Sequence, residues 1–362
     1  MIRLIRPYVE FAEVEAGFRD VFASGMFTRG ENVEAFRQEI VAYTGASHAF
    51  LTTSATTALW LCLKRFDIGP GDEVIVSDFS FPATANVVED LGATPVFADV
   101  SLMTFNMTPE ALDQAITSRT KAVIFVDALG NPTGVHAIAD LCRRHGLPLI
   151  EDAACAIGSS EDGGRCGAVA DLTCFSFHPR KLLTTGEGGA ITTRHAEWEG
   201  WFNRKLSHGA EGMQGYGLDF VDYGYNFRLP ELQAIMGRVQ LAKLDVIVAE
   251  RNLIRDQYAS LLAPLGFEVQ ALGAGVIHNV QSLVFRVPSG LNRDALIAGL
   301  REAGVESTIG TYSLSGTTYY RQKYQQLQPN AWRLQQETIT LPCYAGVDVE
   351  RVCRAIRALV ST

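Results

Sequence analysis

Over its first two thirds the chain alternates short β-branched or aromatic runs with turns rich in Gly, Pro or Asp, followed by segments of helical period. The runs are residues 49–53 (AFLTT), 73–77 (EVIVS), 94–100 (TPVFADV), 121–127 (KAVIFVD), 147–150 (LPLI) and 172–177 (LTCFSF). Between them, residues 57–64, 83–91, 109–116 and 137–144 place apolar side chains at helical spacing. Near-continuous apolar strands separated by helices predict an α/β fold with a mostly parallel sheet covered on both faces. Ligands of such sheets bind at the carboxyl ends of the strands. After Gly224 the pattern changes to one long amphipathic helix, opened by Pro230 and striped by Leu232, Ile235, Met236, Val239, Ile247, Ile254, Tyr258 and Leu261. Residues 276–287 (VIHNVQSLVFRV) then read as a strand, and 293–303 and 349–359 as helices. The chain therefore divides into a large α/β domain over 1–235 and, over 236–362, a long helix with a smaller α+β domain.

Composition narrows the function. With 362 residues, 47% of them hydrophobic, the chain can bury a large core. A formal charge of −9 is opposite to what phosphate-backbone binding requires, so no nucleic-acid partner is expected. Glu10, Glu13 and Glu15 fall where a signal peptide would need apolar residues, and the densest later apolar stretch, 58–63, is too short for a bilayer. The expectation is a soluble, cytoplasmic protein without a membrane partner. Seven scattered cysteines, none paired as CxxC, suggest neither a disulfide framework nor zinc, and the dispersed histidines form no metal constellation.

Four segments carry candidate chemistry, each with a bland reading beside it. In 174–193 (CFSFHPRKLLTTGEGGAITT) an apolar strand delivers Ser176, His178 and Lys181 into a turn before a glycine-rich return. Lys181 is set there for a lowered pKa and Schiff-base chemistry, or is an exposed loop lysine. In LIEDAACA, Asp152 ends a strand, where it either caps a helix or holds a pyridine nitrogen protonated. In TTSATTAL, the helix start and the hydroxyls of Ser54, Thr56 and Thr57 suit a phosphate, or are a plain cap. In DFSFPAT, Phe79 and Phe81 are either core or a platform for a planar ring. Pyridoxal phosphate (PLP) chemistry needs all four features at successive strand ends.

At this point the chain resembles the DegT/StrS family of PLP-dependent sugar aminotransferases, of the aspartate aminotransferase superfamily. The resemblance runs through SATTAL, GPGDEVIVSDFSFPATAN, GATPVFADV, LIEDAACAIG, CFSFHPRKLLTTGEGGAITT, YGYNFRLPELQAIMG and PNAWRLQQETITLP. It implies fold type I, with a mostly parallel seven-stranded sheet flanked by helices in the large domain. It further implies that Lys181 forms the Schiff base and moves the proton, that Asp152 pairs with the pyridine nitrogen, and that Phe81 stacks on the ring. Ala55, Thr56 and Ser176 match the phosphate cradle, and Asn226 matches a residue reaching the neighbouring subunit's phosphate, which implies a homodimer with shared sites. The implied reaction moves an amino group from an amino acid, L-glutamate in the family pattern, through the pyridoxamine form of the cofactor to a nucleotide-linked keto sugar. The alternatives are a sugar dehydratase of the same fold, against which Lys181 counts because those enzymes typically carry histidine there, and transfer to a cyclitol or other non-sugar carbonyl.

Departures from the family bear on the substrate. Ala55 stands where many members have Gly, which requires a negative φ. Cys155 replaces a frequent Gln or His near the cofactor, a weaker hydrogen-bond partner. Residues 309–314 (IGTYSL) replace a His-Tyr pair, leaving Thr311 and Tyr312 as altered substrate candidates. His178 and Arg180 are further substrate candidates. Asn131, in GNPTG, is either a cofactor contact or a turn residue, and Arg228 either an anion ligand or an ion-pair member.

Overall fold

The computed structural model describes residues 1–360. Strands β1 (His48–Thr52), β2 (Glu73–Ser77), β3 (Thr94–Ala98), β4 (Thr120–Val126), β5 (Leu149–Asp152), β6 (Leu172–Ser176) and β7 (Gly189–Thr193) form one sheet in the order β1-β7-β6-β5-β4-β2-β3. Neighbours pair in parallel except around β7, which runs antiparallel to both β6 and β1. The other six strands thus point one way and bring their carboxyl ends to a common edge. Both faces are covered. In β4, Ala122 and Ile124 enter the core shared with Val74 and Val76, whereas Val123 and Phe125 join Ile75 and Leu149 on the opposite face.

A four-stranded antiparallel sheet follows, with β8 (Glu268–Val269), β9 (Leu283–Arg286), β10 (Thr308–Ile309) and β11 (Thr338–Leu341) in the order β8-β9-β11-β10. Helices Arg293–Glu302 and Val349–Val360 close its core, which also takes Ile2 from the chain start. The expected single long helix is two, Glu231–Leu241 and Leu244–Leu262. Neither Pro nor Gly marks the break, so the residue pattern gives no sign of it. Lys243 leaves helical geometry there (φ −114°, ψ 7°) and its amine pairs with Glu13 at 2.6 Å. The second helix runs from one core to the other: Leu244, Ile247 and Val248 pack beneath the large sheet, Tyr258 and Leu262 beneath the small one.

The expected strand over 276–287 is also corrected, since only Leu283–Arg286 is extended in a ladder. Residues before it cross as a loop with Val280 at φ +53°, a costly conformation for a β-branched residue. The polar letters interrupting that apolar run, His278, Asn279 and Gln281, are buried and hydrogen-bonded across to other loops. The helices Phe11–Ser24 and Glu31–Thr44 precede β1. Among the described residues no helix is long and apolar enough to cross a membrane.

Candidate active site

A cleft of about 430 Å³ opens at the carboxyl edge of the large sheet. Each wall segment follows a strand end: Ser54, Ala55 and Thr56 after β1, Phe81 and Thr84 after β2, Asp152 and Cys155 at β5, and Ser176, His178 and Lys181 at β6.

The β1 corner is set by a reciprocal cap. Ser54 Oγ accepts from Thr57 N–H at 3.1 Å and Ser54 N–H donates to Thr57 Oγ1 at 3.1 Å. Ala55 is the first residue of helix Ala55–Arg65 and has a negative φ, so its methyl is compatible with the turn. Strand β7 presses on this corner from behind. A Cβ on Gly189 would lie 2.6 Å from Ser54 C and 2.7 Å from Ala55 N, which explains the last glycine of GEGG. The other two glycines, Gly186 and Gly188, hold positive φ values of +84° and +151° in the return.

Asp152 is buried and no helix follows it, so it is not a helix cap. Its Oδ2 accepts from Thr84 Oγ1 at 2.7 Å and its Oδ1 from Ala154 N–H at 3.2 Å. Burial raises its pKa, opposed by these two donors and by the charge of Lys181. Lys181 Nζ lies 3.0 Å from Cys155 Sγ, so the departure at 155 stands against the lysine itself. His178 is partly buried, and that desolvation lowers its pKa, partly offset by Glu187 and reinforced by Lys181 and Arg180. Phe81 is 65% exposed and lies edge-on to Tyr312, with ring centroids 6.3 Å apart.

Not every candidate meets in this cleft. Tyr312 stands at the mouth behind Phe81, while Thr311 lines the cleft and donates to Ser80 O at 3.1 Å. Asn226 is exposed on a segment that bridges Ser207, outside its own chain's cleft. Asn131 is fully buried, its amide engaged by Thr104, Ala271 and Thr133, which makes it a turn residue here. Arg228 lies beside a separate hollow with Arg29 and Arg37. Behind the site, Asp127, Glu151 and Cys166 are the one grouping of metal-ligand type among the described residues. Burial raises the pKa of both carboxyls, and the repulsion of Glu151 adds to it at Asp127.

A second chamber of about 200 Å³ adjoins the cleft, sharing Lys181, Cys155, Phe81 and Arg180, and reaches Arg6, Leu4 and Leu341 at the small sheet. Among the described residues no carboxylate lines it. Thr84 lies inside DFSFPAT with nothing in the residue pattern to single it out, and Asn279 and Gln281 interrupt an apolar run that reads as a strand.

The donor set fits pyridoxal phosphate. Asp152 is a buried acceptor whose raised pKa a further cation, such as a protonated ring nitrogen, would draw down. The capped helix start and Ser176 line the cleft and suit the phosphate dianion, the Lys181 amine lines the same cleft, and Phe81 offers a ring face.

Residues 10–360 match the DegT/DnrJ/EryC1/StrS aminotransferase family. Among solved structures, the aminotransferase TlmJ from Streptoalloteichus hindustanus is 32% identical with a TM-score of 0.94, over 100% of this chain and 99% of that one. Spr1654 from Streptococcus pneumoniae in its PMP form is 27% identical with a TM-score of 0.94, over 100% and 99%, and is also solved with PLP. Helicobacter pylori PseC, an aminotransferase involved in the biosynthesis of pseudoaminic acid, is 25% identical with a TM-score of 0.92, over 99% and 98%. The mostly parallel sheet, the site at its carboxyl edge and these likenesses agree: the chain belongs to the DegT/DnrJ/EryC1/StrS aminotransferase family of PLP-dependent enzymes.

Proposed function

We propose that this chain transfers an amino group from L-glutamate to a nucleotide-linked keto sugar, in the making of an amino sugar. The observation that carries the reading is the convergence of Asp152, Lys181 and the Ser54–Thr56 corner on one cleft, with the chamber that holds Arg6 and Arg180 opening beside Lys181. Pyridoxal phosphate, when bound, supplies the electron sink for breaking and making the bonds at the nitrogen-bearing carbon.

The chain's own residues do the rest. Asp152, its carboxylate fixed by Thr84, would keep the ring nitrogen of the cofactor protonated. Lys181 Nζ would hold the cofactor and serve as the base that moves a proton at the reacting carbon. The N–H groups of Ala55 and Thr56, with Ser176 Oγ, would take its phosphate, and Phe81 would offer its ring to the cofactor's. Cys155 lies beside the lysine and is a weak hydrogen-bond partner. In the adjoining chamber Arg6 and Arg180 meet the carboxylate of the donor and the diphosphate of the acceptor in turn. Arg251 cannot serve there because its guanidinium donates to the carbonyls of Val280, Gln281 and Cys343. His178 and Tyr312 border the sugar.

Two copies would share their sites, each Asn226 reaching the other's phosphate corner. Supporting this, the ribbon of Ala210–Gln214 and Gly217–Phe220 just before Asn226 exposes Met213, Tyr216, Leu218 and Phe220, an apolar surface typical of an interface.

The test separates the half-reactions. L-Glutamate should convert the PLP form to the pyridoxamine form, and candidate ketones should return it, read by visible absorbance. Nucleotide-linked keto sugars restoring the PLP spectrum support the reading, and restoration only by free cyclic ketones overturns it. Lys181→Ala should acquire no long-wavelength absorbance with PLP and support neither half-reaction.

A further inference from the structure

The loop that broke the expected strand over 276–287 reaches the lysine. Gln281 Oε1 accepts from Leu182 N–H at 2.8 Å, and Gln281 Nε2 donates to Arg180 O at 2.7 Å. One side-chain amide therefore grips the peptide groups on both sides of Lys181. Its neighbour does the same for the opposing wall: Asn279 Nδ2 donates to Cys155 O and Ile157 O, each at 2.8 Å. The two walls meet where Lys181 Nζ touches Cys155 Sγ.

The loop making these contacts is itself held. Asn279 Oδ1 accepts from Gln281 N–H at 2.8 Å, and Arg251 donates to Val280 O at 2.6 and 2.9 Å. Between the two amides sits Val280, buried, at φ +53°. A β-branched residue keeps that conformation only where surrounding contacts impose it, and such outliers cluster at functional sites. Left-handed backbone at 280 lets residues 279 and 281, on either side of it, reach two different loops. An extended strand would send both to the same face of one sheet.

We propose that Gln281 is a positioning residue for the transamination, fixing the Lys181 loop so that Nζ stands at the reacting carbon. This rests on the role given to Lys181 above, though the first measurement below needs neither substrate nor cofactor. Gln281 is 9% exposed, so removing its amide leaves the Leu182 N–H and Arg180 C=O without their partner in a buried setting. Chemistry that depends on near-contact geometry falls as much as 10²-fold for displacements of about 1 Å.

Two variants test it. Gln281→Leu keeps the side-chain volume and loses both hydrogen bonds. In cofactor-free protein, the rate at which an acylating reagent labels Lys181, read by peptide mass spectrometry against the other lysines, should change from wild type. In the loaded enzyme kcat should fall on the order of 10- to 100-fold. Gln281→Glu can reproduce the donor and acceptor pair only as the neutral acid. Its kcat relative to wild type should therefore be highest at low pH and fall as the carboxyl ionises. A folded Gln281→Leu protein with wild-type Lys181 labelling and wild-type kcat overturns the proposal. If that variant does not fold, a pH-independent ratio for Gln281→Glu overturns it. Failure of the ketone assay alone, with altered labelling, would count against the proposed reaction and not against Gln281.

Discussion

On the sheet side of the cleft, Asp152 and Ser176 are the last residues of strands buried along their whole length, and the corner at Ser54 is braced by β7 against the helix start. On the opposite side, the wall is made from two-residue strands, Thr308–Ile309 and Tyr312–Ser313, the loop before β9 and the first residues of the chain. The first wall takes its shape from backbone ladders that almost any buried strands supply. The second takes its shape from particular side chains: Gln281, Asn279, Ser313 and Ser315. Cofactor chemistry needs an invariant geometry and sits on ladders, whereas substrate choice can vary by exchange of a few side chains on the other wall.

The sharpest way to break the sheet wall is Asp152→Asn. Asn keeps an acceptor for the Thr84 hydroxyl and loses the charge. Turnover should fall on the order of 10²–10³-fold while thermal stability stays close to wild type, checked by single-turnover absorbance and calorimetry. Undiminished turnover would remove the electrostatic role given to this acid.

The same contrast governs what residue patterns can reveal. The run EVIVS marks β2 with its observed ends, and LTCFSF ends one residue beyond β6, because strands buried on both faces read as unbroken apolar letters. Asp152, Ser176 and Lys181 stand at or just after such ends, so their meeting at one edge follows from a parallel sheet. The other wall hides its logic. VIHNVQSLVFRV reads as a strand because it is apolar with regular interruptions, yet the interruptions are buried and bonded to loops 99 and 124 residues away in sequence. GNPTG misleads in the opposite direction: it sits after a strand, as a cofactor contact would, but the Asn131 amide is spent on Thr104 and Ala271. The break at Lys243 left no trace because a stripe of apolar residues can continue across a kink.

A second, smaller effect tests whether the ladder wall is as unyielding as its contacts imply. In Gly189→Ala the new methyl would meet backbone atoms of Ser54 and Ala55 at 2.6 and 2.7 Å, not a side-chain tip that can swing away. Either β7 or the helix start must move. The expected cost is roughly 1–3 kcal/mol of stability, with weaker retention of PLP. Free phosphate should protect the variant less than wild type in a thermal melt, and equal protection would separate this glycine from the phosphate corner.

The last expected effect concerns the tie between the walls. Asp78 directly follows β2 and is buried, yet its carboxylate serves the far side. Oδ1 accepts from Ser315 N–H at 2.6 Å, and Oδ2 from Ser313 Oγ at 2.8 Å and Ser315 Oγ at 2.9 Å. Next to it, the strand pair Phe79–Ser80 and Tyr312–Ser313 closes the cleft mouth beside Phe81. Burial pushes the Asp78 pKa up to about 7, opposed by the serine donors and assisted by Asp99, the charged group facing it. Asp99 itself accepts from the N–H groups of Asn330 and Ala331 at the start of helix Pro329–Glu337. A carboxyl that binds its proton more tightly when folded than when unfolded makes the folded state lose stability as pH rises, here between about 4 and 7. One such group gives a slope of at most about 1.4 kcal/mol per pH unit. Asp78→Asn removes that slope, because an amide does not titrate. The melting temperature of the variant relative to wild type should therefore rise from pH 5 to pH 8 and level off above about 7. A difference that stays constant with pH would mean that the tie is made by an ionised carboxylate throughout. The two walls would then be joined by fixed charge and not by a proton the solvent can remove.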